Sequence, residues 1–497
     1  MRIIVAFICL ITAGLQAQTA PQPTVIVVDT AAASRPFPHY WEKVFGSGRA
    51  ILTLRESYRS DLRTVKEATG FQYARFHNIF HDEVGVYDED ATGNPIYNWS
   101  YVDQIYDGLL ANGIRPFVEL SFMPKKLAAQ QVFHAFWYKP IPAPPKDWNK
   151  WEEFIYQFGK HLVERYGIDE VSHWYFEVWN EPNLDFWVGE PKQPTYFSLY
   201  DHAAQGLKRV DQRILVGGPA TAQAAWVDVF IKHCVDNKIP LDFVSTHVYG
   251  NDRSEDVFGT HETIPREDMV CRAVKKVHDQ VSASAKPALP IHWTEYNASY
   301  MNETNVTDAV YMAAWLPHTI SDCDGLVNTL SYWTFSDVFE EQGVIKQPFY
   351  GGFGILAEGG VPKPAFNAFK LLHTLGDTRI NLSSDSALLT RRADGTIVLA
   401  LWNLVPLDRQ GVAKQFTVKL PALKNVKSVR ISRVDSDHGN VMHAYENMGS
   451  PRSPTKTQWA ALQRAGQGTA PESIPVSGRS FSISVPPEGL AVVEIKP

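Results

Sequence analysis

The sequence predicts an α/β protein: a (β/α)8 TIM barrel with a C-terminal antiparallel β-sandwich domain. Three observations predict it. From about Phe45 to Gly376, short β-prone runs alternate with amphipathic helical patterns, whereas past about Leu382 strands and turns follow one another directly. In addition, two apolar runs stop abruptly in a carboxylate: Phe176-Glu177-Val178-Trp179-Asn180-Glu181-Pro182-Asn183 and Ile291-His292-Trp293-Thr294-Glu295-Tyr296-Asn297. A strand that carries an acid to its own C-terminal end delivers it to the mouth of an α/β barrel. A chain of 497 residues also exceeds one ordinary domain, so two are expected.

The elements follow in order. Arg2 precedes an apolar run over 3–15 and a small, polar stretch over 16–20, so residues 1–20 read as a signal peptide. The run is too short to span a bilayer comfortably, and no later stretch reaches about eighteen uninterrupted apolar residues. A bacterial protein exported to the periplasm or beyond the cell is expected, with no membrane anchor. Residues 21–43 form an N-terminal segment in which 24–29 has the pattern of a strand returning to the sandwich. The barrel is expected over 44–376, its first strand near Val44 and Phe45 and the others at 73–76, 114–120, 174–179, 214–217, 243–247, 291–294 and 329–333. Between them, Trp148, Trp151, Phe154, Ile155, Phe158, Leu162 and Tyr166 share one helical face, with Asp147 as N-cap and Gly167 as the stop. Tyr196, Leu199, Tyr200, Ala203 and Leu207 trace another. A doubly wound open sheet is the rival, but no glycine-rich phosphate loop follows any strand.

The sandwich is expected over 377–497. Runs 387–391 and 396–402 flank Asp394-Gly395, a hairpin signal, and 416–420, 426–434, 481–485 and 490–495 follow. The stretch 448–472, rich in Ser, Pro, Gly and Thr, reads as a long surface loop. No flexible linker separates the two parts, so the sandwich is expected to pack rigidly on the barrel.

Composition narrows the function. Hydrophobic residues at 44% and charged residues at 20% describe a soluble globular protein, and a net charge of −7 gives no sign of nucleic-acid binding. Lys275-Lys276 and Arg391-Arg392 read as solvated surface. The 14 tryptophans fit either a large core or platforms for sugar rings. Without the leader three cysteines remain, Cys234, Cys271 and Cys323. An odd number leaves at least one free or paired between chains, their spacing fits no zinc template, and all three read as buried small residues.

Two facing carboxylates are what glycosidic bond cleavage requires: one acid protonates the departing oxygen, while the other carboxylate attacks the anomeric carbon. The first must be neutral and the second ionised, so their surroundings must differ. Glu181, between Asn180 and Pro182 in an aromatic segment, suits a raised pKa. Glu295 has a candidate phenol donor in Tyr249.

The motifs Trp174-Tyr-Phe-Glu-Val-Trp-Asn-Glu-Pro-Asn183, Ser245-Thr-His-Val-Tyr249, Trp293-Thr-Glu-Tyr-Asn-Ala-Ser-Tyr300 and Ser331-Tyr-Trp-Thr-Phe-Ser-Asp-Val-Phe-Glu-Glu341 together closely resemble glycoside hydrolase family 39, which contains β-xylosidases and α-L-iduronidases. The resemblance runs from about residue 40 into the sandwich. It implies a retaining mechanism with Glu181 as acid/base and Glu295 as nucleophile. It further implies that Asn180 holds the sugar 2-hydroxyl, that Tyr249 touches the nucleophile, and that His247 and Trp333 line the sugar pocket. Arg75-Phe76-His77 resembles the second-strand segment whose Arg and His face the site, although Asn78 stands where a Gly is usual. The run Phe117-Val-Glu-Leu-Ser-Phe-Met-Pro124 offers Phe122 as a wall, and Glu340 and Glu341 are candidates for gripping sugar hydroxyls. Tyr350 stands where a His is usual.

The function so implied is that of an exo-acting retaining β-D-xylosidase releasing xylose from xylo-oligosaccharides, with no cofactor. The alternatives are an α-L-arabinosidase, β-glucosidase, β-galactosidase or α-L-iduronidase, or a non-catalytic carbohydrate-binding relative. A uronic-acid enzyme would need a basic residue at the sugar carboxylate, for which Lys346 and Lys363 are candidates. Some residues have plainer readings. Glu177 points outward or pairs with an Arg, His292 is structural, Trp179 belongs to the core, and Phe122 fits barrel filler as well as wall. His77 and His81 are four apart, but no His-Glu-x-x-His helix supports a metal site. Of the Asn-x-Ser/Thr sequons at Asn98, Asn297, Asn302, Asn305 and Asn381, that at Asn297 would put a glycan into the pocket and reads as chance. Barrels of this family type often associate, which makes a homo-oligomer one candidate, but the sequence leaves the oligomeric state open.

Overall fold

The structure, a computed structural model, describes residues 22–423 and 426–497; the expected leader lies outside the described residues. Eight parallel strands close into a barrel: Val44–Gly46, Tyr73–Phe76, Arg115–Glu119, Tyr175–Glu177, Leu215–Thr221, Phe243–Tyr249, Ile291–Asn297 and Thr329–Tyr332. Helices follow the strands in sequence and pack their apolar faces outside the ring. In the helix Trp148–Tyr166, Trp151, Phe154, Ile155, Phe158 and Leu162 are buried. Asp147 caps its first turn by accepting from the amides of Asn149 and Lys150, and Gly167, at φ +79°, ends it.

Inside the barrel the strands alternate, so side chains two apart stack as layers along the axis. The lowest layer is aromatic, with Phe117 and Phe243 packed among Tyr73, Tyr175 and Leu215. His292 packs against Phe117, Tyr175 and Phe243, and its Nδ1 meets Thr329 Oγ1 at 2.8 Å. Two residues further along their strands, Arg75, Glu119 and Glu177 form a fully buried charged layer on which the candidate site stands.

The C-terminal part has a seven-stranded antiparallel sheet in the order Ser34–Pro36, Thr378–Ile380, Ala387–Arg391, Ile397–Trp402, Leu490–Lys496, Ser428–Val434 and Glu472–Ser473. A smaller sheet of Thr24–Val27, Lys414–Lys419 and Ser480–Val485 covers it, with Thr24–Val27 parallel to Lys414–Lys419. The central strand Ile397–Trp402 is buried on both faces. Ile397, Leu399 and Leu401 pack with Phe416, Val418 and Ile483 of the smaller sheet, while Val398, Ala400 and Trp402 join the barrel core. The helices Tyr311–Asp322 and Pro364–Leu372 make the barrel side of that contact.

Two expectations are corrected. Cys271 and Cys323 form a disulfide, leaving Cys234 as the buried free thiol among the described residues. The partners are 52 residues apart, and only the packing of helix Arg266–Ala283 beside helix Tyr311–Asp322 brings them together. The stretch 448–472 is not simply a loop, because it contains the helix Lys456–Ala465, opened by a capping box of Thr455 and Gln458.

Candidate active site

A cavity of about 390 Å3 opens at the C-terminal ends of the barrel strands. It is lined by His77, Asn180, Glu181, Tyr249, Glu295, Trp333 and Glu341, together with Phe136, Leu184, Phe186, Ala222, Gln223, Asp252, Tyr300 and Phe353. Each polar group reaches it from a strand end or from the loop that follows. Trp179 and Glu181 hold left-handed backbone, φ +74° and +45°, so the chain turns sharply where Asn180 and Glu181 are presented.

Glu295 is held by two donors. Arg75 Nη1 is 2.7 Å from its Oε1, and the Tyr249 hydroxyl donates to its Oε2 at 2.6 Å. Both donors fix the orientation of its carboxyl group. Arg75 also reaches Glu177 through Nε at 2.6 Å and Glu119 through Nη2 at 2.8 Å, and it donates to Asn180 Oδ1 at 2.9 Å. One fully buried guanidinium therefore fixes three carboxylates and an amide.

Glu181 has the opposite surroundings. Burial, reinforced by the charges of Glu295 and Asp252, holds its carboxyl well above the usual range, and Arg75 offsets this only in part. Its nearest partner is His247, whose Nδ1 lies 3.0 Å from Glu181 Oε1 and 3.7 Å from Glu295 Oε1. Burial, with the positive charges of Arg75 and His77 nearby, keeps His247 well below the ordinary histidine range. Facing carboxylate oxygens of Glu181 and Glu295 lie within 4.8 Å of each other.

The rest of the lining divides by chemistry. Burial lowers His77, but Glu119, 2.7 Å from its Nδ1, and Glu295 outweigh it and leave the histidine raised. Its Nε2 is 3.6 Å from Glu341 Oε1, and burial pushes the Glu341 carboxyl up to about 8. Trp333 is 3% exposed, its ring 4.8 Å from that of His77. Burial also lifts Asp252 to about 7; its Oδ2 accepts from the Tyr249 amide at 2.7 Å.

Several residues stand elsewhere than the sequence suggests. Glu340 does not line the cavity: Arg55 and Arg49 hold its carboxylate at 2.5 and 3.2 Å, and their charges outweigh burial to keep it below its usual range. Phe122 is a wall only indirectly, buried behind Phe186, which lines the cavity in its place. His247 sits beneath the carboxylates rather than on the cavity surface. Lys363 is sealed between Asp308 and Asp337 at 2.7 and 2.6 Å, and Lys346 lies in a separate cleft with Tyr350, so neither lines this cavity. Asn78 is buried outside the lining at φ +73°, which explains why an Asn can stand where a Gly is usual. Asn297 is also buried, donating to the Trp333 carbonyl at 2.6 Å.

Sequence reasoning passed over Glu119, Asp252, Gln223, Tyr300, Phe136 and Phe186. Glu119 carried a readable signal, an acid closing an apolar strand, the same signal that singled out Glu181 and Glu295. The others lie on loops, where no periodicity sets side-chain direction.

The family model for glycosyl hydrolases family 39 matches residues 24–481. A β-xylosidase of Geobacillus stearothermophilus is 40% identical over 440 residues, 86% of each chain. A β-xylosidase of Caldicellulosiruptor saccharolyticus is 35% identical, covering 92% of this chain and 95% of its own. The crystal structure of a monomeric β-xylosidase from Caulobacter crescentus CB15 superimposes with a TM-score of 0.86 at 34% identity, over 95% of this chain and 99% of that one.

Proposed function

Because the chain belongs to glycosyl hydrolases family 39, and is a glycoside hydrolase, we propose that it is an exo-acting β-D-xylosidase that retains anomeric configuration. The observation that carries the retaining mechanism is the approach of the Glu181 and Glu295 oxygens to within 4.8 Å. Retaining enzymes hold their two carboxyl groups about 5–5.5 Å apart, whereas inverting enzymes need about 6.5–9.5 Å to admit a water. The surroundings support the division of labour. Glu295, fixed by Arg75 and Tyr249, attacks the anomeric carbon and forms the glycosyl-enzyme. Glu181, kept neutral, gives its proton to the leaving oxygen and then takes one from the water that hydrolyses the intermediate. Asn180, whose Oδ1 is occupied by Arg75, turns its Nδ2 donors to the sugar 2-hydroxyl.

The sugar is neutral. Four carboxyl groups line the cavity, Glu181, Glu295, Glu341 and Asp252, and neither Lys nor Arg does among the described residues. The carboxylate of a uronic acid would find no lysine or arginine in that lining to pair with, and the His77 imidazole is already engaged by Glu119, which disfavours an iduronidase. His77, Glu341 and the Trp333 face supply the hydroxyl contacts and stacking surface of a single sugar ring. Xylose as that sugar rests on the two β-xylosidase relatives. Export rests on the leader-like residues 1–20, and the Cys271–Cys323 disulfide suits an oxidising compartment.

The test is release of xylose from xylobiose, with a 4-nitrophenyl α-L-iduronide as the charged comparison. The wild type is expected to cleave xylobiose and ignore the iduronide. Glu181→Gln should lower xylobiose turnover by about 10²–10⁴-fold. Cleavage of the iduronide in preference would overturn the choice of sugar, and undiminished turnover by the Gln variant would overturn the role of Glu181.

A further inference from the structure

We propose that Thr294 is a positioning residue for Glu181, acting through His247: it fixes the imidazole as its Nε2–H tautomer, so that the bare Nδ1 accepts a hydrogen bond from the protonated Glu181 carboxyl. The proposal rests on Glu181 being the proton donor, and it explains how that proton is held in the free enzyme.

Strand irregularity puts Thr294 in place. Between strands Phe243–Tyr249 and Ile291–Asn297, Thr246 pairs with Trp293 and His247 with Glu295, so Thr294 is the extra residue of a bulge. Regular alternation would send Thr294 and Glu295 to opposite faces. With the bulge, both are buried and both make contacts inside the barrel, Glu295 with Arg75 and Thr294 with His247 and Glu177.

The direction of the hydrogen bonds follows from the number of protons. Glu177 is the ion-pair partner of Arg75 through Oε2, so its Oε1 accepts, and the Thr294 hydroxyl donates to it at 2.8 Å. That hydroxyl has a single proton, so at 3.0 Å it can offer His247 Nε2 only a lone pair, and Nε2 must carry the hydrogen. Buried beside the cations Arg75 and His77, His247 is neutral, which leaves Nδ1 bare. Nδ1 lies 3.0 Å from Glu181 Oε1, and only a protonated Glu181 can make that contact a hydrogen bond. An ionised Glu181 would set a charged oxygen against a lone pair, and bonding to the neutral form disfavours the charged one. The other groups facing Glu181 are the carboxyls of Glu295, Asp252 and Glu341, which also oppose its ionisation, and Arg75, which favours it. Glu295 Oε1, 3.7 Å from Nδ1, is the remaining acid near the ring.

In the reaction the O–H bond of Glu181 breaks as one forms on the departing glycosidic oxygen, whose bond to the anomeric carbon breaks onto it. The resulting carboxylate then faces the Nδ1 lone pair, which promotes its recovery of a proton from the attacking water in the second step. Thr294 touches no substrate atom in either step.

The experiment is the pH profile of kcat/KM on xylobiose, which reports groups of the free enzyme. Thr294→Val removes the acceptor at Nε2 and frees the ring to place its hydrogen on Nδ1, from which it would stabilise ionised Glu181. The alkaline limb is expected to fall by about one pH unit, equivalent to ~1.4 kcal/mol between the two protonation states. Thr294→Ser, which keeps the hydroxyl, should restore the limb to within a few tenths of a unit. A limb that stays in place in folded Thr294→Val, or moves equally in both variants, overturns the proposal. Histidine 15N NMR of the wild type provides a test independent of the variants: the resonances lost in His247→Asn should show a bare Nδ1 and a protonated Nε2, and the opposite tautomer overturns the proposal. Normal xylobiose turnover by Glu181→Gln would instead mean that the underlying assignment of Glu181 had failed.

Discussion

Gly46 shows how narrowly single positions define this pocket. A Cβ built on it would overlap the Trp333 ring, which lies directly over the first barrel strand. Gly46→Ala must therefore displace Trp333 from its place in the cavity lining. The expected result is a rise in KM for xylobiose of about tenfold, or ~1.4 kcal/mol, with a smaller change in kcat, read from Michaelis kinetics. The residues legible in the sequence are the acids that close an apolar run, such as Glu181 and Glu295, although their final direction is set by left-handed turns in one case and by the Thr294 bulge in the other. Glu340 and Glu341 show where this fails. They are adjacent loop residues, and a left-handed turn at Glu340, φ +65°, sends one to Arg49 and Arg55 and the other to the pocket. Lys363 was equally unreadable, because its partners Asp308 and Asp337 are distant in sequence and meet it only in the folded core.

Among elements, the helix Pro364–Leu372 is fastened where it ends. His373 Nδ1 meets the buried Glu42 at 2.9 Å, and His39 Nδ1 meets the same carboxylate at 2.8 Å. Burial raises Glu42, but the hydrogen bonds and charges of His373 and His39 outweigh it and leave the carboxyl lowered; the bond to Glu42 raises His373. A lowered acid stabilises the fold above its unfolded pKa and loses that contribution as pH falls through its folded value. A raised histidine stabilises below its unfolded pKa and loses its share as pH rises through its folded value. The clamp is therefore strongest between the reference values of 4.5 and 6.5 and weakens on either side. His373→Gln should flatten the decline of Tm above that window relative to the wild type, as scanning calorimetry across pH would show. The elements themselves were mostly legible, because period and capping residues are local. The Thr294 bulge was not, since a bulge is a relation between two strands, and neither was the helix Lys456–Ala465, hidden in a stretch rich in turn-forming residues.

For the whole molecule, the decisive feature is that one sheet serves two cores. Val398, Ala400 and Trp402 close the barrel's outer layer, while Ile397, Leu399 and Leu401 fill the sandwich. Removing the sandwich would expose the helices Tyr311–Asp322 and Pro364–Leu372 along apolar faces that water cannot satisfy. A chain ending at residue 376 is therefore expected to yield no soluble, active barrel, and the intact chain to unfold in a single calorimetric transition. Activity of the shortened chain, or two separated transitions, would contradict this. The two-part plan was legible from the change of pattern near Leu382. The shared sheet was legible only as strands without polar faces, such as 397–402, which periodicity alone cannot distinguish from other buried runs.

The Cys271–Cys323 bond gives the fold a dependence on its chemical surroundings. The covalent loop spans 52 residues, and closing a loop of that size removes about 4 kcal/mol of freedom from the unfolded chain in the chain-entropy picture. The same polypeptide kept in a thiol-rich cytosol would be a different material, with two sulfhydryls in place of a cross-link and a looser hold between the helices that back the strand bearing Glu295. Its durability is thus decided partly by the electron balance of the place where it matures.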